Sequence, residues 1–379
     1  TGRNDWDSRL AFSDYKSFFY PSIGLSAILT SMFNAPDWLT YLKVRGSYTE
    51  VGNSYGRFMT TVTYPYDEQT QSWTSTSSYP NTKLKPERTK SWEVGLDARI
   101  LNDISLNLTY YRSNTYNQTF YADLSLSSGY SNIPIQSGNI MNEGLEMSLG
   151  YNKQWKDFSF NTNYTLTWNK NRVKRLADGV YNYATGQPIQ MPELSPLTYG
   201  HTDARLILRV GGSMGDVYGQ RLLKRDLNGY ILNEEGVGLA MENKETYLGS
   251  ILPKMNMGWS LGFGYKGVNL GMTFTGRFGG IVISETQSVL DAAGVSKVSA
   301  DVRDAGGVQI NQSKVSAQTY YQTIQGTAAY YTYSATNVRL GELSLSYTLP
   351  KKWFDNKVGM TVGLVGKNLW MIYCKAPFD

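Results

Sequence analysis

The sequence predicts an all-β fold, a transmembrane antiparallel β-barrel, and three observations carry that prediction. Apolar and polar residues alternate strictly in about ten separate stretches, the period-2 signature of strands with two unlike faces. Short turns and long polar segments join those stretches in alternation. The polar face carries charge, so one face meets water while the other is bulky and apolar, the dyad pattern of a barrel in lipid.

The hairpin Leu84–Thr115 shows the pattern at its plainest. Trp92, Val94, Leu96, Ala98 and Ile100 alternate with Ser91, Glu93, Gly95, Asp97 and Arg99. Ile104, Leu106, Leu108 and Tyr110 then alternate with Ser105, Asn107, Thr109 and Tyr111. Asn102-Asp103 reads as the short turn between them. Upstream, one strand is predicted from Phe19 to Leu29, a turn at Asn34–Asp37, and a strand over Leu42–Thr49. Downstream, Met141–Tyr151 and Phe158–Trp168 flank a turn at Lys153–Asp157. Met255–Tyr265 and Val268–Phe274 flank Lys266-Gly267. Leu343–Leu349 and Val358–Leu364 are joined through Trp353–Lys357. Val338 and Leu340 are out of phase with Leu343, which predicts a bulge near Gly341-Glu342. The long segments are 52–87, 170–252 and 284–336; within the second, Arg225–Tyr230 reads as a hairpin with Asn-Gly at its turn.

Composition narrows the function classes. Tyr 29 and Trp 9 make the chain aromatic-rich, and its mean hydropathy is −0.37. The longest uncharged stretch, Ser17–Pro36, alternates and contains Pro21 and Gly24, so it does not read as a membrane helix. Net charge is +5 with basic residues dispersed, which argues against a nucleic-acid surface. One cysteine, Cys374, leaves no internal disulfide, and one histidine, His201, leaves no multi-histidine metal site. No cofactor and no metal site are expected.

Two catalytic motifs occur out of context. Gly258-Trp259-Ser260-Leu261-Gly262 matches the G-x-S-x-G pattern, but Ser260 lies inside an alternating strand with no histidine base beside it in sequence. Gly262–Gly267 matches G-x-G-x-x-G, but a strand follows where a phosphate-binding helix would have to start. The acidic pairs Asp67-Glu68 and Glu234-Glu235 read as solvated loop charge. The aromatics of the long segments carry more weight. Trp73, Tyr181, Tyr183, Tyr320 and Tyr330 are the candidate substrate-contacting residues, since an aromatic ring in a polar loop can stack on a sugar or pack on a peptide side chain. Loop-to-loop packing is the competing role for each. No residue is a catalytic candidate.

Several stretches resemble one family. LKPERTKSWEVGLDARIL, TGRNDWDSRL with FFYPSIGLSA, GYSNIPIQSGNIMNEGLEMSLGYN, and NVRLGELSLSYTLPKKW with GKNLWMIY together resemble the SusC/RagA family of TonB-dependent outer-membrane transporters. The matches keep the family order over nearly the whole chain. The resemblance implies that residues 1–379 are the C-terminal half of a barrel of about 22 strands, with the plug domain, the TonB box and the final strand lying outside this chain. It implies TonB-dependent import of oligosaccharides or peptides across the outer membrane of a Gram-negative bacterium. The implied partners are a SusD-like lipoprotein lid, the TonB-ExbB-ExbD complex through the absent N-terminal part, and outer-membrane lipid. A passive porin would share the alternation, and a soluble carbohydrate-binding β-protein is the non-membrane alternative.

Overall fold

The computed structural model describes residues 1–177, 193–198, 202–234 and 238–377. We label the strands in chain order. The first seven are β1 (Gly2–Trp6), β2 (Ser17–Ile28), β3 (Leu39–Asn53), β4 (Glu87–Ile100), β5 (Ile104–Tyr116), β6 (Asn132–Trp155) and β7 (Phe158–Ala177). Next come β8 (Glu193–Thr198), β9 (Arg205–Arg209), β10 (Asp216–Leu223) and β11 (Met241–Ser250). The last four are β12 (Met255–Tyr265), β13 (Val268–Phe278), β14 (Asn337–Thr348) and β15 (Thr361–Cys374).

A single antiparallel sheet runs β1 to β7 and then β12 to β15, each strand beside its chain neighbour. The ten long strands, β2–β7 and β12–β15, fall on the alternating stretches of the sequence, the last of them starting at Thr361 rather than Val358 and running on to Cys374. Strand β1 is an addition: Gly2–Trp6 pairs with Ser17–Pro21, where the sequence reads as a polar loop.

The register explains the alternation. Val44, Leu96, Leu108, Met147, Leu166 and Met257 form one continuous row of directly opposed residues across six strands. Each row two residues away on the same face is again apolar, for example Leu42, Ala98, Leu106, Leu149, Tyr164, Trp259 and Phe274. Of Leu96, Leu108, Leu149 and Leu166, none is buried, and Leu149 is 42% exposed. A soluble sandwich would dry this face against a second sheet; here no described residue of another layer covers it. The packed apolar clusters all sit at the other kind of place, in and around the long connections.

Turn geometry corrects the sequence reading in three places. Ile100 opposes Ile104, so the first hairpin turns through three residues, Leu101–Asp103, with Leu101 and Asn102 at positive φ, and not through Asn102-Asp103 alone. The turn expected at Asn34–Asp37 is preceded by a helical turn, Leu29–Met32, that closes the connection earlier. Lys351–Phe354 forms a 3₁₀ turn that begins two residues before the connection expected at Trp353–Lys357. Elsewhere the expected turns form. Tyr265 opposes Val268, leaving Lys266 (φ 47°) and Gly267 (φ 90°) as a two-residue turn with both φ positive, the twist a tight hairpin needs. The bulge falls where expected: Thr273 opposes Glu342 and Phe274 opposes Leu340, which leaves Gly341 unpaired.

Because every strand of the sheet is antiparallel to the next, the short turns lie at one end and all the long connections at the other. The connections are not featureless. The one between β7 and β12 carries a second sheet, β8-β9-β10-β11. The one between β13 and β14 carries α1 (Glu285–Ala292), α2 (Lys297–Asp304) and α3 (Ala317–Ile324). A fourth connection, between β5 and β6, folds a short strand, Thr119–Asp123, back onto the start of β6.

Candidate functional site

Two surfaces can meet a solute: the polar face of the sheet and the folded connections at its end. The polar face is built by the positions between the apolar rows. One row reads Arg45, Gly95, Thr109, Glu146, Thr167, Asn256, Arg277 and Asn337. Glycine shapes this wall. The Arg45 side chain lies across Gly95, where a Cβ would meet its Nε at 2.5 Å, and donates from Nη2 to Thr109 Oγ1 at 2.5 Å. Tyr111 likewise crosses Gly144 and donates to Asn169 Oδ1 at 3.0 Å. Asn107 donates to Asp97, and Lys43 lies 3.9 Å from the same carboxylate. The face is thus a hydrogen-bonded polar wall, suited to water and to a polar solute and unsuited to lipid.

The two longest connections fold into one module. Its main core holds Leu223, Leu239, Ile310, Ala317, Tyr321, Ile324 and Tyr331, drawn from both of the two longest connections. Asp203 ties those connections together. Its carboxylate accepts from the backbone N–H of Gln220 (3.0 Å) and Arg221 (2.7 Å) on one side and of Ala328 (2.7 Å) on the other. A second cluster, Ala204, Val217 and Ala328, packs beside it. Helices start where serine caps them: Ser284, Ser296 and Ser316 accept from the N–H of Gln287, Ser299 and Thr319. Burial pushes the Tyr321 and Tyr331 phenols above their ordinary range, and the nearby Asp291 carboxylate adds to the shift. The hairpin expected at Arg225–Tyr230 forms, with Asp226 accepting from the N–H of Asn228 and Tyr230.

The predicted contact residues are not gathered into one site. Trp73 is 70% exposed, in a small hairpin where its ring leans on Tyr66 at 5.1 Å between centroids. Tyr320 packs edge-on against Tyr321 at 5.3 Å. Tyr330 Oη accepts from the N–H of Leu223 at 3.1 Å, so its hydroxyl serves the module's own core. Tyr181 and Tyr183 lie outside the described residues. Absent from the candidate residues are the charged positions of the polar wall, Arg45, Glu93, Glu146, Arg277 and Arg339. Their signal was present in the alternation, as charges repeatedly opposite an apolar face, but which of them meet depends on register.

A wall with an apolar outside, a polar inside and a folded module over one end is the wall of a membrane barrel. Known proteins agree. The family described as TonB dependent receptor-like, beta-barrel matches residues 1–369, and the chain belongs to it. The family is one of receptors and not of enzymes. TonB-dependent receptor P3 of Formosa agariphila is 25% identical over 402 residues, which cover 97% of this chain and 39% of that protein. TonB-dependent receptor SusC of Bacteroides thetaiotaomicron is 27% identical over 154 residues, 40% of this chain and 14% of that one. The RagAB peptide importer in its open-open state shares the fold, with a TM-score of 0.72 at 21% identity over 98% of this chain and 41% of that chain. The chain therefore spans about two fifths of the length of the relatives it matches from end to end.

Proposed function

We propose that this chain is the C-terminal barrel portion of a TonB-dependent importer in the outer membrane of a Gram-negative bacterium. It works with a SusD-like surface lipoprotein to take up oligosaccharides or peptides. One observation carries the reading most directly: every long, folded connection lies at the same end of a sheet whose apolar face is uncovered. A barrel in the outer membrane has short periplasmic turns and long extracellular loops, so that end is extracellular. The relatives support the energy coupling, since those whose sequences match nearly the whole of this chain are named TonB-dependent receptors. The plug, the TonB box and the contacts with TonB-ExbB-ExbD belong to the part of the protein beyond this chain. RagAB is described as a peptide importer, which keeps peptides beside oligosaccharides as cargo.

Labelling of intact cells tests the orientation. In a Cys374→Ser background, cysteine placed at Ser75 or Asn228 reacts with an impermeant maleimide once any lid protein is removed, and cysteine at Asn102 does not. Reaction at Asn102 with silence at both loop positions would reverse the topology and sink the proposal. Uptake that persists undiminished in a strain lacking TonB would sink the energy coupling.

A further inference from the structure

The polar wall contains a second feature that general barrel architecture does not require. A cavity of about 550 Å³ opens where β12, β13 and β14 reach the folded module. Arg277 and Arg339 both line it, with Asn256, Thr275 and Asn337 beside them and Ser334 from the connection above. Arg277 opposes Asn337, and Thr275 opposes Arg339, so the two arginines are diagonal neighbours on one face, with Cα atoms about 7–8 Å apart.

Two like charges that close repel unless something negative lies between them. Among the described residues of the wall, nothing does. Among the described residues, Arg277 Nη2 donates to the Ile251 carbonyl at 2.7 Å and Arg339 Nη2 donates to Asn337 Oδ1 at 3.3 Å. No carboxylate among them pairs with either guanidinium. The Arg277 Nε–H is buried and has no acceptor among the described residues. Other basic groups lie near carboxylates: Lys43 and Arg45 each come within 3.9 Å of Asp97, although Arg45 Nε, like Arg277 Nε, has no hydrogen-bond acceptor among the described residues, and Arg209 in the module has two glutamates. A half-buried pair of forks with free donors is a receptor for a planar or tetrahedral oxyanion, which can take two parallel hydrogen bonds from each guanidinium.

We propose that this cavity binds the carboxylate or sulfate of an acidic oligosaccharide, and that Arg277 and Arg339 make the importer selective for anionic glycans. The proposal rests on the importer reading above and names its substrate class. The amides of Asn256 and Asn337 and the hydroxyls of Thr275 and Ser334 can both donate and accept, which suits a ring of sugar hydroxyls around the anion. Met257, Val282 and Met371 also line the cavity and offer apolar surface to the C–H face of a sugar ring; a peptide would offer the same carboxylates, and triglutamate in the test below separates the two. The cavity lies on the wall against the module, with Ser334 of the β13–β14 connection in its lining.

The test uses the full-length protein with its lipoprotein partner, purified in detergent. The probes are trigalacturonate, 6-sulfated galactotriose, the uncharged trimethyl ester of the first, and triglutamate. Calorimetry is expected to show at least one acidic sugar binding about tenfold tighter than the ester. Arg277→Gln and Arg339→Gln should each erase that preference, while Arg277→Lys keeps part of it. Melting temperatures matching the parent's exclude misfolding as the cause; if either glutamine variant fails to fold, competition by inorganic sulfate on the parent protein replaces it and must reduce acidic-sugar binding. Equal binding of acidic and uncharged sugars overturns the proposal. So does arginine-dependent binding of triglutamate with none of either acidic sugar. Uptake in cells with and without TonB separates the two readings. Arginine-dependent binding without TonB-dependent uptake would remove the importer and leave the site. TonB-dependent uptake indifferent to charge and to both arginines would remove the site alone.

Discussion

Asp203→Ala should unlatch the loop module from itself. The Asp203 carboxylate, with its side chain 8% exposed, accepts three backbone N–H groups, two from β10 and one from the segment before β14. Alanine leaves all three donors without that acceptor in a dry site beside Ala204, Val217 and Ala328. A hydrogen bond to a charged group contributes about 1.5–3 kcal/mol, and breaking a buried charged network costs about 3–5 kcal/mol in all. The lower figure already corresponds to a factor of roughly 100 in a local opening equilibrium. Amide exchange on the full-length protein reads this directly. Protection of Gln220, Arg221 and Ala328 should fall by about two orders of magnitude, and the amides of β12 and β13 should keep theirs. Asp203→Asn retains one acceptor oxygen and should fall in between. If Asp203→Ala leaves the protection of Ala328 unchanged, the carboxylate does not join the two connections and the single-module description fails.

Three further outcomes follow from the wall and the module. Leu96→Arg sets a charge in the middle of the uncovered apolar face and should destabilise the barrel in lipid by about 2–4 kcal/mol, measured by guanidinium unfolding in vesicles; a cost near zero would mean that the face does not meet hydrocarbon. Gly95→Val places a side chain where Arg45 lies and should displace it from Thr109, at about 1–2 kcal/mol, whereas Gly46→Ala, where the nearest atom to a new Cβ is at 3.8 Å, should be far milder. Alkali should loosen the module before the wall. The folded-state pKa values of Tyr321 and Tyr331 are raised by burial, so the neutral phenols contribute stability that is fully present below the unfolded value near pH 10 and is lost as pH rises through the folded values. Near-ultraviolet tyrosinate absorbance should rise for these two residues together with loss of module protection above about pH 10, and simple titration without loosening would contradict the burial.

The strands were legible because lipid on one side and water on the other force a period of two, and no packing partner blurs it. The module was not legible for the opposite reason. Helices α1, α2 and α3 are eight residues each, too short for a 3.6-residue period to stand out. Their capping serines could have been read: Ser284 and Gln287 stand in the spacing of a capping box. Strands β8–β11 bury residues such as Ile207, Leu208 and Val217 against partners that are distant in sequence, so their pattern depends on tertiary contact. The aromatic argument chose rings by composition. Composition could not tell Tyr330, committed to the Leu223 N–H, from Trp73, which stands in solvent. Arg277 and Arg339 were equally invisible as a pair, since their adjacency requires the register of β13 on β14 up to the bulge at Gly341.

The end of the apolar band explains why the module can have a structure of its own. Along β4 the uncovered face is apolar from Ile100 to Trp92, about nine residues, the length a tilted strand needs to cross the hydrocarbon. Beyond it the same face turns charged. Arg112, Glu143 and Lys170 form a row across β5, β6 and β7, with Lys170 3.9 Å from Glu143. Glu50 on β3 faces Lys90 and Arg88 on β4 at 3.3 and 3.5 Å. Charges on that face cannot sit in hydrocarbon, so they fix where lipid stops. Strands β6 and β7, 24 and 20 residues long, continue well past that level. Their outer parts stand in water, where the inward and outward faces are no longer distinguished by solvent. Apolar residues there gain by packing on one another: Ile135, Val173 and Leu176 join Leu194 and Leu208 in a dry cluster. The change of outer solvent along a single pair of strands thus converts a wall with no core into the stalk of a module that has one.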